Sequence, residues 1–142
     1  MVMTFPRSSP SHKPCALVVD DQHSVREALR DLLLNAGYEV EVAPTGEAAL
    51  HDIEVGRPDV VLLDLCMPGM SGVETLGRIQ QIAPSVPVIM VTGSGEAEIA
   101  RNALRLGAFG YVMKPFETGH LFDIVGVASR QEDHRARGGA PR

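Results

Sequence analysis

Five side chains, of three chemical types, could together handle a phosphoryl group and a cation: the acidic pair Asp20-Asp21, the lone Asp64, Thr92 and Lys114. Three carboxylates brought close repel one another, and the repulsion raises their pKa values. A hard divalent cation relieves it. Mg²⁺ takes oxygen ligands at about 2.0–2.1 Å, keeps several waters, and is held by one or two carboxylates together with a phosphate. Lys114 is a point charge suited to a phosphate oxygen, and the Thr92 hydroxyl can donate to another. Asp64 stands apart from the acidic pair, which leaves it free to act as a nucleophile of the aspartyl-phosphate kind. Phosphoryl transfer asks mainly for positioning and charge neutralisation, and these residue types supply both.

Taken singly, each of these residues also suits a turn, a helix cap or a solvated loop. Their placement along the chain makes them a set. Apolar runs that read as strands alternate with helical patterns. The strands are Ala16–Asp20 (ALVVD), Tyr38–Ala43 (YEVEVA), Val60–Asp64 (VVLLD), Val86–Thr92 (VPVIMVT) and Phe109–Met113 (FGYVM). VVLLD is apolar nearly throughout, as a central parallel strand covered on both faces must be. YEVEVA alternates, as an edge strand with one wet face does. The expected helices are Ser24–Ala36, Thr45–Val55, Gly72–Ala83, Glu96–Leu106 and Glu117–Arg130. Ser24 and Glu27 have the spacing of a capping box, Thr45 is an N-cap type, and Gly37 and Gly107 are stop signals. The last helix is the weakest, because Gly119 and Gly126 each cost about 1 kcal/mol of helix propensity.

Strict alternation of five strands and five helices predicts an α/β fold: a flavodoxin-like doubly wound (βα)5 domain with a five-stranded parallel sheet in the order 2-1-3-4-5. Ligands of such sheets bind outside the carboxyl ends of the strands, at the switch point beside strand 1. Asp20-Asp21 end strand 1, Asp64 ends strand 3, Thr92 ends strand 4 and Lys114-Pro115 follow strand 5. All the chemistry-bearing residues therefore fall on one edge.

Composition narrows the class. The chain has 142 residues, 44% hydrophobic and 22% charged, which suits one ordinary globular domain. The divisions expected are a flexible segment at 1–13, a domain over 14–130, and a flexible basic tail or linker start at 131–142. Two distant cysteines exclude a disulfide-rich scaffold and suit reduced thiols. No apolar run approaches the roughly 20 residues of a membrane span, and the first 14 residues lack the apolar region of a signal peptide. Cytoplasmic placement without membrane contact is expected. The net charge is −5. Residues 1–13 carry Arg7 and Lys13, and residues 129–142 carry four arginines against Glu132 and Asp133. Residues 14–128 thus hold 7 basic and 16 acidic side chains, a net −9. Such a body disfavours direct nucleic-acid binding and suits a cation or a basic protein surface.

The motifs V-V-D-D at 18–21, D-L-C-M-P-G-M-S-G at 64–72, V-T-G-S-G at 91–95 and G-A-F-G-Y-V-M-K-P-F at 107–116 together resemble those of the receiver domain of bacterial two-component response regulators. The resemblance covers about residues 14–130. It implies that Asp64 is the phosphoacceptor, attacking a phosphohistidine on a sensor histidine kinase or a histidine phosphotransfer protein. It implies Mg²⁺, with Mn²⁺ as a substitute, held by Asp21 directly, by Asp20 partly through water, by Asp64 and by the backbone carbonyl of Cys66. Thr92 then corresponds to the switch hydroxyl, Lys114 to the phosphate-binding ammonium and Tyr111 to the aromatic switch residue. The Lys114–Pro115 bond corresponds to a cis peptide. Output would pass through the surface of the fourth helix, strand 5 and the fifth helix to a downstream protein or output domain. That surface would also allow a weak phosphorylation-dependent homodimer. The positions of Cys66 and Ser94 tune phosphoryl lifetime in such domains. Neither residue is an obvious water-activating base, so a long-lived phosphoprotein is expected.

Two other readings fit less well. An aspartyl-phosphate phosphatase of the haloacid-dehalogenase type has a second Asp two residues after the nucleophile, where this chain has Cys66. A flavin-binding flavodoxin-like module needs a phosphate-cradling loop after strand 1, where this chain has the acidic segment DDQHS.

Overall fold

The computed structural model describes residues 13–93 and 95–136. Ser94 and the outer parts of the two expected terminal segments, 1–12 and 137–142, lie outside the described residues. The elements follow in the order β1 (Cys15–Val19), α1 (His23–Asn35), β2 (Glu39–Ala43), α2 (Gly46–Val55), β3 (Val60–Asp64), α3 (Gly72–Ile82), β4 (Val88–Thr92), α4 (Ala97–Arg105), β5 (Gly110–Met113) and α5 (Thr118–Ala136). All pairings are parallel and the sheet order is β2-β1-β3-β4-β5. This is the predicted doubly wound fold.

Side chains alternate across a strand, so each strand feeds two cores. One face carries Leu17, Val19, Val61, Leu63, Val88 and Met90, packed against Ala49 and Ile53 of α2, Leu76 and Ile79 of α3, and Ala103 of α4. The other carries Ala16, Val18, Val60, Leu62, Ile89 and Val91, packed against Leu29 and Leu33 of α1 and Leu121, Val125 and Ala128 of α5. Every residue of β3 is buried, which is why its sequence shows no alternation. The edge strand β2 leaves Glu39 and Glu41 exposed.

Local chemistry sets the element ends. Thr45 Oγ1 accepts from the Ala48 N–H at 3.1 Å and caps α2, as its residue type suggests. The expected capping box at Ser24 does not form. Helix α1 starts one residue earlier, at His23, with Gln22 as N-cap and no side-chain cap bond. The reason lies in Asp20, whose Oδ1 accepts from the Gln22 N–H at 2.9 Å. That turn sets the entry angle before Ser24 is reached. The Arg26 guanidinium then donates to the Asp20 carbonyl at 2.7 Å. Strand β4 begins at Val88 rather than Val86, because Pro87 has no N–H to give to a ladder. Helix α5 contains Gly119 and Gly126 yet runs to Ala136, six residues past its expected end. Tertiary contacts compensate for its poor propensity: Leu121 and Val125 are fully buried, and the Ser129 hydroxyl meets the Tyr38 hydroxyl at 3.2 Å.

Gly72 opens α3 where it crosses the end of β3. A Cβ there would overlap the carbonyl oxygen of Asp64 and lie 2.7 Å from that of Leu65 and 2.8 Å from Leu65 Cα. These are backbone atoms and cannot rotate away. Gly72→Ala is therefore expected to destabilise the domain by about 1–3 kcal/mol, read from the urea unfolding midpoint. An unchanged midpoint would show that the α3–β3 junction can open at little cost.

Candidate functional site

Parallel strands bring their carboxyl ends to one edge, and the register decides which residues meet there. Val19 of β1 pairs with Leu63 of β3, so Asp20 and Asp64 leave their strands side by side. Asp64 pairs with Val91, and Thr92 with Met113. The Lys114 N–H donates to the Thr92 carbonyl at 2.8 Å, which extends the ladder by one bond and brings Lys114 beside the carboxylates.

The resulting constellation is compact. One carboxylate oxygen each from Asp20, Asp21 and Asp64 lie within 4.8 Å of one another. Lys114 Nζ stands 3.5 Å from Asp20 Oδ2 and 3.7 Å from Asp64 Oδ1. Asp20 and Asp64 are buried and Asp21 is exposed, so the cluster opens to solvent on the Asp21 side. Thr92 is buried at the end of β4. Burial, and next the Asp20 charge, push the Asp64 carboxyl up to about 6, with a smaller push from Asp21. The Lys114 ammonium and the Cys66 N–H oppose the rise but do not cancel it.

One ammonium facing three carboxylates leaves excess negative charge. Asp20 Oδ2 is buried and has no hydrogen-bond partner. The Lys114 ammonium faces it at 3.5 Å as an ion pair only, which leaves the buried oxygen partly uncompensated, and a hard cation would suit this all-oxygen donor set.

The other residues singled out in the sequence fall as follows. The Lys114–Pro115 peptide is cis. Tyr111 is half-buried and packs against the core face that contains Met90 and Ala103. Cys66 is exposed, and its thiol donates to Glu96 Oε2 at 2.8 Å. Glu96 was not anticipated from the sequence. Its other oxygen, Oε1, accepts from the Gly93 N–H at 2.6 Å. The Cys66–Glu96 contact spans thirty positions of chain, and no local pattern signals it.

A family model described as the response regulator receiver domain matches residues 16–126. The chain belongs to the response regulator receiver family. Among its relatives, regulatory protein AtoC of Escherichia coli (strain K12) is 42% identical over 109 residues, which are 77% of this chain and 24% of AtoC. Sporulation initiation phosphotransferase F of Bacillus subtilis (strain 168) is 38% identical over 109 residues, 77% of this chain and 88% of that protein. The chain thus spans about a quarter of the first relative and most of the second. Among solved structures, the receiver domain of NtrX from Brucella abortus superposes with a TM-score of 0.79 at 32% identity, covering 81% of this chain and 98% of that domain. Receiver domains are signalling switches of two-component systems rather than conventional enzymes, and they bind Mg²⁺ through acidic residues such as those clustered here. Response regulators are typically phosphorylated by sensor kinases and often carry output domains. Among the described residues no helix is long and apolar enough to cross a membrane.

Proposed function

We propose that this receiver accepts a phosphoryl group on Asp64 from the phosphohistidine of a sensor histidine kinase or a histidine phosphotransfer protein. The observation that carries the reading is the convergence of Asp20, Asp21, Asp64 and Lys114 at the carboxyl edge of the sheet. A carboxylate oxygen of Asp64 attacks phosphorus, the P–N bond to the histidine breaks with its electron pair passing to that nitrogen, and the imidazole, already protonated on its other ring nitrogen, leaves neutral. Lys114, already 3.7 Å from Asp64 Oδ1, neutralises the charge on the phosphoryl oxygens. Asp20, Asp21, Asp64 and the Cys66 carbonyl are the residues that would hold Mg²⁺ or Mn²⁺, which when bound supplies further charge neutralisation at the transferring phosphoryl group. Thr92 follows the new oxygens, and Tyr111 fills the space that Thr92 leaves.

The output surface in this reading is α4–β5–α5. It carries exposed Ile99, Met113 and Val127, with Leu106 at the end of α4, and so suits a downstream protein, an output domain or a weak phosphorylation-dependent homodimer. The working compartment is the cytoplasm, and nucleic acid is not a direct ligand.

Intact-protein mass after incubation with acetyl phosphate tests the reading. One phosphoryl adduct should form with Mg²⁺ and not with chelator. After removal of the donor it should decay slowly, because neither Cys66 nor Ser94, at the positions that tune the lifetime in such domains, is a water-activating base. Failure to form any adduct with Mg²⁺ present would defeat the proposal, and rapid loss without a partner would defeat the long lifetime.

A further inference from the structure

Two hydrogen bonds end on a side chain that the phosphoryl chemistry above does not use. Glu96 is the N-cap of α4. Its Oε2 accepts from the Cys66 thiol at 2.8 Å and its Oε1 from the Gly93 N–H at 2.6 Å. One carboxylate thereby joins the residue two positions after Asp64 to the residue directly after Thr92.

We propose that Glu96 is a positioning residue that ties Gly93, and through it Thr92, to the loop after Asp64 in the unphosphorylated protein, and that a phosphoryl group on Asp64 is incompatible with this tie. The inference rests on the receiver reading of Asp64. A phosphoryl group adds about −1.5 to −2 charges, and Glu96 holds its own negative charge on the neighbouring loop. Thr92 is covalently joined to Gly93, so any shift of Thr92 toward phosphoryl oxygens pulls on the short Gly93 N–H bond. The bridge and the phosphoryl group thus favour opposite arrangements of one segment, and each biases the equilibrium by its differential interaction with the two. Glu96 is then a brake on phosphorylation. Its chemistry is specific, because Cys66 provides the second donor.

The test uses the full chain and follows Gly93 amide hydrogen exchange by NMR in wild type, Glu96→Gln and Glu96→Ala. The adduct is tracked by mass after treatment with acetyl phosphate and Mg²⁺. In the unphosphorylated wild type the Gly93 amide should be protected. Glu96→Ala should speed its exchange about tenfold or more, the scale of one charge-assisted hydrogen bond. Glu96→Gln keeps an acceptor without the charge and should fall between. Glu96→Ala should take up phosphoryl several-fold faster than the wild type. Equal Gly93 exchange in wild type and Glu96→Ala would overturn the tie, and equal rates of phosphoryl uptake would overturn the brake. Absence of any adduct on the wild type would overturn the receiver reading itself, and this proposal with it.

Discussion

Asp64→Asn is expected to abolish the Mg²⁺-dependent phosphoryl adduct, lowering its rate of formation by more than about two orders of magnitude. The amide matches the carboxylate in shape but offers no anionic oxygen to attack phosphorus. Asp20 and Asp21 remain in the variant, and so does Lys114, which stands 3.5 Å from Asp20 Oδ2. The variant therefore keeps much of the cation-binding chemistry and loses the nucleophile, so the comparison isolates one role. The readout is intact mass across a time course of acetyl phosphate treatment, with circular dichroism to show that the fold persists. An adduct that survives at a comparable rate would place the nucleophile on another carboxylate, and peptide mapping would locate it.

The same substitution should make the metal-free protein more stable at neutral pH. The folded-state pKa of Asp64 is raised from 3.8 to about 6, by burial first and by Asp20 second. The folded state holds this proton more tightly than the unfolded chain does. Ionising Asp64 therefore costs folding free energy. The cost is absent below about pH 4, where both states are protonated, grows between about 4 and 6, and is complete above about 6. Each pKa unit corresponds to about 1.4 kcal/mol. Asn removes the repulsion but also gives up the attraction to Lys114, so a gain on the order of 2 kcal/mol is expected at pH 7.5 in chelator. At pH 4 the two proteins should unfold at nearly the same urea concentration. Other titrating groups are common to both and cancel in the difference. Mg²⁺ should narrow the gap at pH 7.5 only by as much as the wild type, with one more carboxylate, binds the ion more tightly than the variant, since each folded state is stabilised by mass action according to its own affinity. Equal stability at pH 7.5 in chelator would mean that Asp64 bears no electrostatic strain.

The fold and the location of the site were largely legible in the residues. Alternation of apolar runs with helical patterns gave the parallel sheet, because a parallel strand pair needs a crossover and the crossovers here read as helices. The apolar VVLLD and alternating YEVEVA placed β3 at the centre and β2 at the edge, since burial on two faces or one leaves different residue patterns. In a parallel sheet every strand ends on the same edge, so a list of strand-ending residues is already a list of neighbours. Asp20, Asp21, Asp64 and Lys114 could be placed together on that basis, and they lie together in the structure.

Whatever depends on contacts between distant segments had to wait for the tertiary structure. Ser24 and Glu27 have the spacing of a cap, but the Asp20 carboxylate reached the Gln22 N–H first, and a residue leaving a strand constrains the next helix more than a local motif does. Helix α5 has two glycines against it and is still the longest helix, because burial of Leu121 and Val125 outweighs propensity. The bridge from Cys66 through Glu96 to Gly93 has no counterpart in spacing or periodicity. Local energetics of a few residues are written in their order along the chain. A hydrogen bond between two loops exists only once the sheet has set the ends of β3 and β4 side by side.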